Sequence, residues 1–357
     1  MSSAVVGWKP ERNKLRVAGS RVRCLHPLAA LQKAGLPVEL FQPGHEHQYK
    51  VVVLQKLFDD EHVQLARRLQ AQGTKIVFDL CDNYLYYSPD TSLGEKYEQQ
   101  VREVARMLEI ADVVTVPSEE LARHLSCPAV VVRDGLAPVE AISNAQRIAL
   151  PSLFARTAAK PRSEYTELVW YGKASSNRAP AGMRDILRVT EVLETLAREF
   201  PLRLTVISNS REIYEESIRP LKLPTRYMEW QSYEAFCARF AQHDICILPI
   251  NINPYTRCKS NNRLTLSLLL GVAVVADAIP SYEEFDRHCM LGNWSESLRT
   301  YLQNAELRRQ HAAAGHVYVR SRYMVDQSAA DWWDVFDALL SNRPLHSAQQ
   351  ECASALP

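Results

Sequence analysis

Residues Asp244 to Glu284 read DICILPININPYTRCKSNNRLTLSLLLGVAVVADAIPSYEE. Ile245 to Ile250 is an unbroken apolar run with Pro249 near its end, the pattern of a buried parallel strand. A polar loop follows. Ser260 or Asn261 can cap a helix that runs through Leu264, Leu266 and Leu268–Leu270 and stops at Gly271. Val272 to Ala276 predicts the next strand, and Ser281 with Glu284 fits a capping box for the helix after it. A loop of Lys259, Ser260, Asn261 and Asn262 between a strand end and a helix start suits an anion.

Around this stretch the chain sets broad bounds. At 357 residues it exceeds one ordinary core, so two domains are expected. With 46% apolar residues, 23% charged residues and a net charge of +1, it has a globular composition. Nothing in that balance calls for nucleic acid or a membrane surface. Its eight cysteines form no CxxC pair, and several fall inside expected strands or helices, which points to reduced structural thiols. The start of the sequence lacks a basic segment followed by an apolar core, and no run of eighteen apolar residues occurs. A cytoplasmic chain without a transmembrane segment is the expectation. The histidines show no HExxH spacing, and His45 and His47 have no third ligand nearby, so no metal is expected.

Taken in order, the chain alternates strand and helix. Strands are predicted at Ala4–Trp8, Pro37–Phe41, Val51–Gln55, Lys75–Leu80, Asp112–Val116 and Ala129–Val132. Helices are predicted at about Val22 to Ala34, His62 to Gln72 and Glu95 to Glu109, with a further helix capped by Ser118. This alternation implies a parallel sheet covered on both faces. From about Leu136 to Glu164 the periodicity weakens and prolines stand at 138, 151 and 161, as in an interdomain connection. The pattern restarts at Leu168–Tyr171, which leads into Gly172, Lys173 and a Ser/Asn loop. It continues through a helix from Met183 to Phe200, strand Leu202–Ser208, strand Tyr227–Trp230 and the opening stretch. Three helices end the chain, the last carrying Trp332, Trp333, Phe336 and Leu339 as an apolar stripe read as core packing. The expected division is 1–140, a connection at 141–164, 165–325, a helix at 326–342 that returns to the first domain, and a tail at 343–357.

With two α/β domains in place, the chain resembles glycosyltransferases of the GT-B fold, most of all those with a "glycosyl transferases group 1" C-terminal domain. That group carries a K-x-x-x-K/R-L-x-E-A-L-A-x-G-x-P-V-V-A pattern, matched here by Lys259, Arg263, Leu264, Leu268, Gly271, Val274, Val275 and Ala276. Trp170-Tyr171-Gly172-Lys173 is similar to the opening of that domain. Ser20-Arg21-Val22-Arg23 with Pro27, Leu28, Leu31 and Gly35 is similar to first domains lacking a glycine-rich loop. Asp79-x-x-Asp82 looks like a strand-end motif of such enzymes. The resemblance implies two Rossmann-like domains and transfer of a sugar from a UDP-, GDP- or dTDP-sugar donor, with no other cofactor and no metal. The acceptor would be a sugar, a lipid-linked molecule, a protein or a small molecule, and peripheral membrane contact is compatible with it. The group's E-x7-E pair is missing: Cys258 and Leu266 stand at its positions, so ribose recognition is expected from elsewhere. A non-catalytic partner of an active transferase and a nucleotide-sugar epimerase are the alternative functions.

The chemistry assigns roles. Charge grows on the donor pyrophosphate as the glycosidic bond breaks, which calls for cations and N–H groups aimed at it. Lys173 and Lys259 are the candidates, with Gly172, Ser260, Asn261, Asn262 and the helix start as donor-binding company. Arg178 is an alternative to Lys173, and Arg263 faces either solvent or the nucleotide base. Asp82 is expected as a general base or as an orienting group, against plain turn chemistry with Asn83. Asp79 is expected to be buried and paired. Arg21, Arg23, Asn83 and Tyr84 are the acceptor-side candidates; the resemblance implies a glutamate against the sugar hydroxyls near here, and Glu283 is freer for it than the capping Glu284.

Overall fold

The computed structural model describes residues 5–15, 17–89, 94–138, 163–176 and 178–345. The connection expected at 141–164, apart from its last two residues, and the tail beyond 345 lie outside them, as does Asn177. Compact unit 1 comprises Met1–Ala137, Arg257–Ser260 and Tyr323–Pro357, and unit 2 comprises Pro138–Thr256 and Asn261–Arg322. Unit 1 therefore takes in four residues from the opening stretch.

Unit 1 holds a six-stranded sheet of β1 (Val6–Pro10), β2 (Val38–Leu40), β3 (Val51–Gln55), β4 (Lys75–Asp79), β5 (Val113–Val116) and β6 (Ala129–Val131). All pairings are parallel, in the order β2-β1-β3-β4-β5-β6. The apolar runs of β3 and β4 are buried on both faces, as parallel strands must be. Val52, Leu54, Ile76 and Phe78 pack with Val104 and Met107 of the helix Gly94–Ile110. Val51, Val53 and Val77 face the opposite way, toward Trp8, Trp332 and Phe336. Trp332 and Phe336 belong to the helix Val325–Leu340, which packs on the helix His26–Lys33 within unit 1. Trp8 meets Trp332 edge-on, with ring centres 4.6 Å apart, so the aromatic stripe is core.

The first helix differs from the expectation of Val22 to Ala34. A short α segment Ala18–Ser20 runs into a π segment Arg21–Leu25 and then into His26–Lys33. Pro27 removes one N–H from the ladder at the junction with the next helix. The His26 N–H reaches back five residues to the Arg21 carbonyl. The wide turn carries Arg21, Arg23 and Cys24 into the interior.

Unit 2 repeats the plan with β7 (Thr166–Tyr171), β8 (Leu202–Ser208), β9 (Thr225–Glu229), β10 (Ile245–Leu248), β11 (Ala273–Ala276) and β12 (Met290–Leu291). They are parallel in the order β12-β11-β10-β7-β8-β9. Helices Arg211–Ser217 and Pro254–Arg257 and strand β12 were not expected. In each sheet the chain reverses its winding direction between two neighbouring strands, β1 and β3 in unit 1 and β7 and β10 in unit 2. Open α/β sheets take ligands beyond the carboxyl ends of such a pair. Among the described residues no helix is long and apolar enough to cross a membrane.

Candidate functional site

In unit 1 the carboxyl ends of β3 and β4 gather a network of alternating charge. Asp79, the last residue of β4, is fully buried. Its Oδ1 accepts from Arg23 Nη2 at 2.5 Å and from Thr115 Oγ1 at 2.9 Å, as expected for a paired carboxylate. Arg23 also donates to the Val132 carbonyl, lies 3.5 Å from Asp134 and stacks over the Trp332 ring. Asp134 in turn accepts from Ser260 Oγ at 2.7 Å. The expectation that Arg23 meets an acceptor is thereby corrected. Its guanidinium is 1% exposed and is committed to bracing β4, β6 and the loop after β6.

Arg21 is corrected on the same ground. It is 5% exposed and donates to the Leu15 carbonyl at 2.8 Å, where it braces the loop after β1. Asn83 is also buried, with Nδ2 3.6 Å from Cys258 Sγ. Tyr84 is half-buried and packs on Phe58.

Asp82 sits three residues beyond β4 between two ammonium groups. Lys259 Nζ is 2.6 Å from Oδ1 and Lys56 Nζ is 3.4 Å from Oδ2. Burial alone would push this carboxyl up. Lys259 and then Lys56 overcome that and hold it at about 2. A carboxylate so weakly basic, with each oxygen engaged, gives little driving force for removing a hydroxyl proton near neutral pH. The geometry favours the orienting role over the general base.

Lys259 belongs to a four-residue segment pinned within unit 1 along its length. Arg257 pairs with Glu120 at 3.2 Å, Ser118 Oγ donates to the Cys258 carbonyl at 3.1 Å, and Ser260 donates to Asp134. Ser260 is therefore not the helix cap. Cys258 is buried, which pushes its thiol up to about 11.

Unit 2 presents a different arrangement at its switch point. Strand β7 runs into Gly172 and Lys173, and the Lys173 side chain is exposed. Ser208 Oγ donates to the Gly172 carbonyl at 2.8 Å, and the Ala174 N–H donates to Asn209 Oδ1 at 2.9 Å, fixing this loop to the end of β8. Gly182 closes the loop with φ of +123°; a Cβ there would stand 2.6 Å from the Ala174 carbonyl oxygen. Arg178, in the same loop, is 5% exposed.

Arg263 lies in the first turn of the helix Asn262–Leu269. Its guanidinium packs over the rings of Trp170 and Tyr171 and donates to the Tyr171 carbonyl at 2.5 Å. The side chain stitches helix to strand. Asn261 precedes that helix without a side-chain cap bond, and its Nδ2 is 3.3 Å from Glu284 Oε1. Glu284 also accepts from Tyr318 at 3.0 Å, so the capping box with Ser281 does not form. A 3-10 segment Pro280–Phe285 begins instead, entered through Pro280. Glu283 is exposed on it, and Asn262 is half-buried at the start of its own helix. Leu266 is buried, where the family pattern would place a glutamate.

Lys56, Asp134 and Asn209 were missed from the sequence. Each follows the carboxyl end of a parallel strand within a few residues, and that position is the signal that could have found them. Among the described residues no cluster of His, Cys, Asp or Glu could hold a metal ion.

No protein-family model matches the chain, and no curated protein does. Solved structures do. A glycosyltransferase from Rickettsia africae is similar at a TM-score of 0.66 and 13% identity, over 96% of this chain and 100% of that one. HepE from Anabaena, in complex with UDP, is similar at 0.62 and 12% identity, over 93% and 99%. WaaG, a glycosyltransferase involved in lipopolysaccharide biosynthesis, is similar at 0.57 and 14% identity, over 92% and 99%. Two six-stranded parallel sheets in one chain, matched along nearly its whole length by these proteins, give this chain the GT-B fold.

Proposed function

We propose that this chain is a glycosyltransferase that moves a sugar from a nucleotide-sugar donor to an acceptor hydroxyl. One observation carries the reading. At the switch point of unit 2, strand β7 ends in Gly172 and an exposed Lys173, on a loop anchored by Asn209 and closed by Gly182. An open α/β sheet binds ligands at that place, and an ammonium group there answers a diphosphate. The fold supports the reading, since proteins of this fold include one complexed with UDP and glucose.

In this reading Lys173 of unit 2 supplies a cation for the donor diphosphate, whose charge rises in the transition state, and Lys259 of unit 1 is an anion-binding cation. Asn262 and the helix start contribute polar company. With Leu266 apolar, the ribose and sugar hydroxyls fall to other groups of unit 2, of which the exposed Glu283 is the candidate. Asp82 orients rather than deprotonates, so the departing phosphate takes the acceptor proton. The acceptor class, the sugar and a cytoplasmic setting belong to the same proposal. No metal is needed for it, because Lys173 offsets the leaving-group charge.

A second reading, a non-catalytic partner of an active transferase, is favoured by the apolar residues at both family glutamate positions, Cys258 and Leu266. Calorimetry with UDP, GDP and dTDP, followed by an assay for release of the nucleoside diphosphate from the matching sugar donor, separates the two. Binding with turnover supports the enzyme. Binding without turnover in the presence of varied acceptors supports the partner, and no binding contradicts both.

A further inference from the structure

Lys56 is one place where unit 1 departs from ordinary backbone. It follows β3 directly, and its φ of 57° puts a lysine in the left-handed region, where glycine is the unstrained residue. Its N–H still donates to the Asp79 carbonyl at 3.0 Å, so the ladder continues one residue past the strand before the chain turns. The side chain is 16% exposed. Its ammonium lies 3.4 Å from Asp82 Oδ2 and 3.6 Å from Glu11 Oε2, with the Tyr84 ring centre at 5.3 Å. Lysine stems ordinarily carry the charge out to water. Here a strained turn aims it inward, at a carboxylate.

Asp82 has one cation on each oxygen, and the two differ. Lys56 is fixed to the end of a central strand, whereas Lys259 is 34% exposed on a loop segment. We propose that Lys56 is a positioning residue, a resident counter-ion that keeps Asp82 ionised and in place when Lys259 engages an anion. The proposal rests on the reading that Lys259 is an anion-binding cation. Were Lys259 the only partner, each departure would strand a mostly buried carboxylate, and the cost of that would be subtracted from anion binding. With Lys56 in place, Oδ2 keeps its cation and only Oδ1 is released.

The other groups near this pair do not replace Lys56. Cys81 is pushed up by burial and stays a neutral thiol, while Glu11 and Tyr84 face Lys56. Arg23 is held by Asp79. Among the described residues, Lys259 and Lys56 are the groups that lower the Asp82 carboxyl.

The test needs no donor. Carboxylate carbon NMR of the ligand-free full chain, with the Asp82 signal assigned by D82N, gives its titration midpoint in wild type, K259M, K56M/K259M and K56R/K259M. Asp82 in K259M should still titrate below the usual carboxylate range. K56M/K259M should bind the proton at least roughly tenfold more tightly than K259M, and K56R/K259M should restore the K259M midpoint. Should K56M fail to fold, K56G removes the ammonium while relieving the left-handed turn and is measured in its place. Equal midpoints in K259M and the double variant overturn the proposal. Nucleotide binding by calorimetry is measured separately. Its absence would remove the glycosyltransferase reading while the Asp82 midpoints still decide the role of Lys56.

Discussion

Units 1 and 2 build the same kind of sheet and treat their strand ends in opposite ways. Past β3 and β4, unit 1 carries two runs of alternating charge, Asp79–Arg23–Asp134 and Lys259–Asp82–Lys56, mostly withdrawn from water. Unit 2 seals the floor with Arg263 against Trp170 and Tyr171 and leaves Lys173 exposed above it. The two solutions answer different needs. A buried charge must be paired, so each ion in unit 1 depends on its neighbour, and the network is structural before it is chemical. An exposed ammonium has no such dependence. Removing it leaves the fold alone and takes away only what it binds.

That contrast can be broken by mutation. The largest effect expected is from Arg23→Met, which leaves the fully buried Asp79 without its cation. It should cost about 3–5 kcal/mol, read as a lower urea midpoint. A loss under about 1 kcal/mol would mean that the network is not what holds unit 1. In unit 2 the matching structural weakness is backbone. Gly182→Ala places a Cβ 2.6 Å from the Ala174 carbonyl at a left-handed φ and should cost about 1–3 kcal/mol in thermal unfolding. An unchanged melting temperature would show that the loop yields freely.

Acid sharpens the comparison further. The Asp82 carboxyl is held at about 2, below its unfolded value, so its contribution is present above the unfolded value and is lost as pH falls through about 4 toward 2. The coupling amounts to roughly 2 kcal/mol. Wild type should lose that much more stability than Asp82→Asn over this interval, measured by urea melts at each pH. Parallel curves would remove the carboxylate from the account.

The two switch points were also unequally legible. Strand Val51–Gln55 and strand Leu202–Ser208 follow from their apolar runs, and Ser118 as a helix cap follows from its place before an acidic first turn. Period and punctuation are local, so local reading reaches them. What Arg21 and Arg23 do is not local. From the sequence Arg21 and Arg23 read as acceptor-side cations, and the π turn buries both. The partners of Arg23 come from residues 79, 132 and 134, which no spacing rule connects. Ser260 shows the same limit: beside a helix start it reads as a cap, and its hydroxyl goes to Asp134. The place of Lys173, exposed just past a strand end, is local and follows from the apolar run before it.

The smallest structural effect and the most direct functional one meet at that residue. Lys173→Ala should leave the melting temperature of the free chain within the range of neutral surface changes, about 0.5 kcal/mol. Calorimetric titration of wild type and Lys173→Ala with UDP, GDP and dTDP tests the central claim. At least one nucleotide should bind wild type, and the variant should bind it roughly tenfold or more weakly, a loss of about 1.4 kcal/mol. Binding of equal strength to both, or binding to neither, would contradict the assignment of the unit 2 switch point as the diphosphate site.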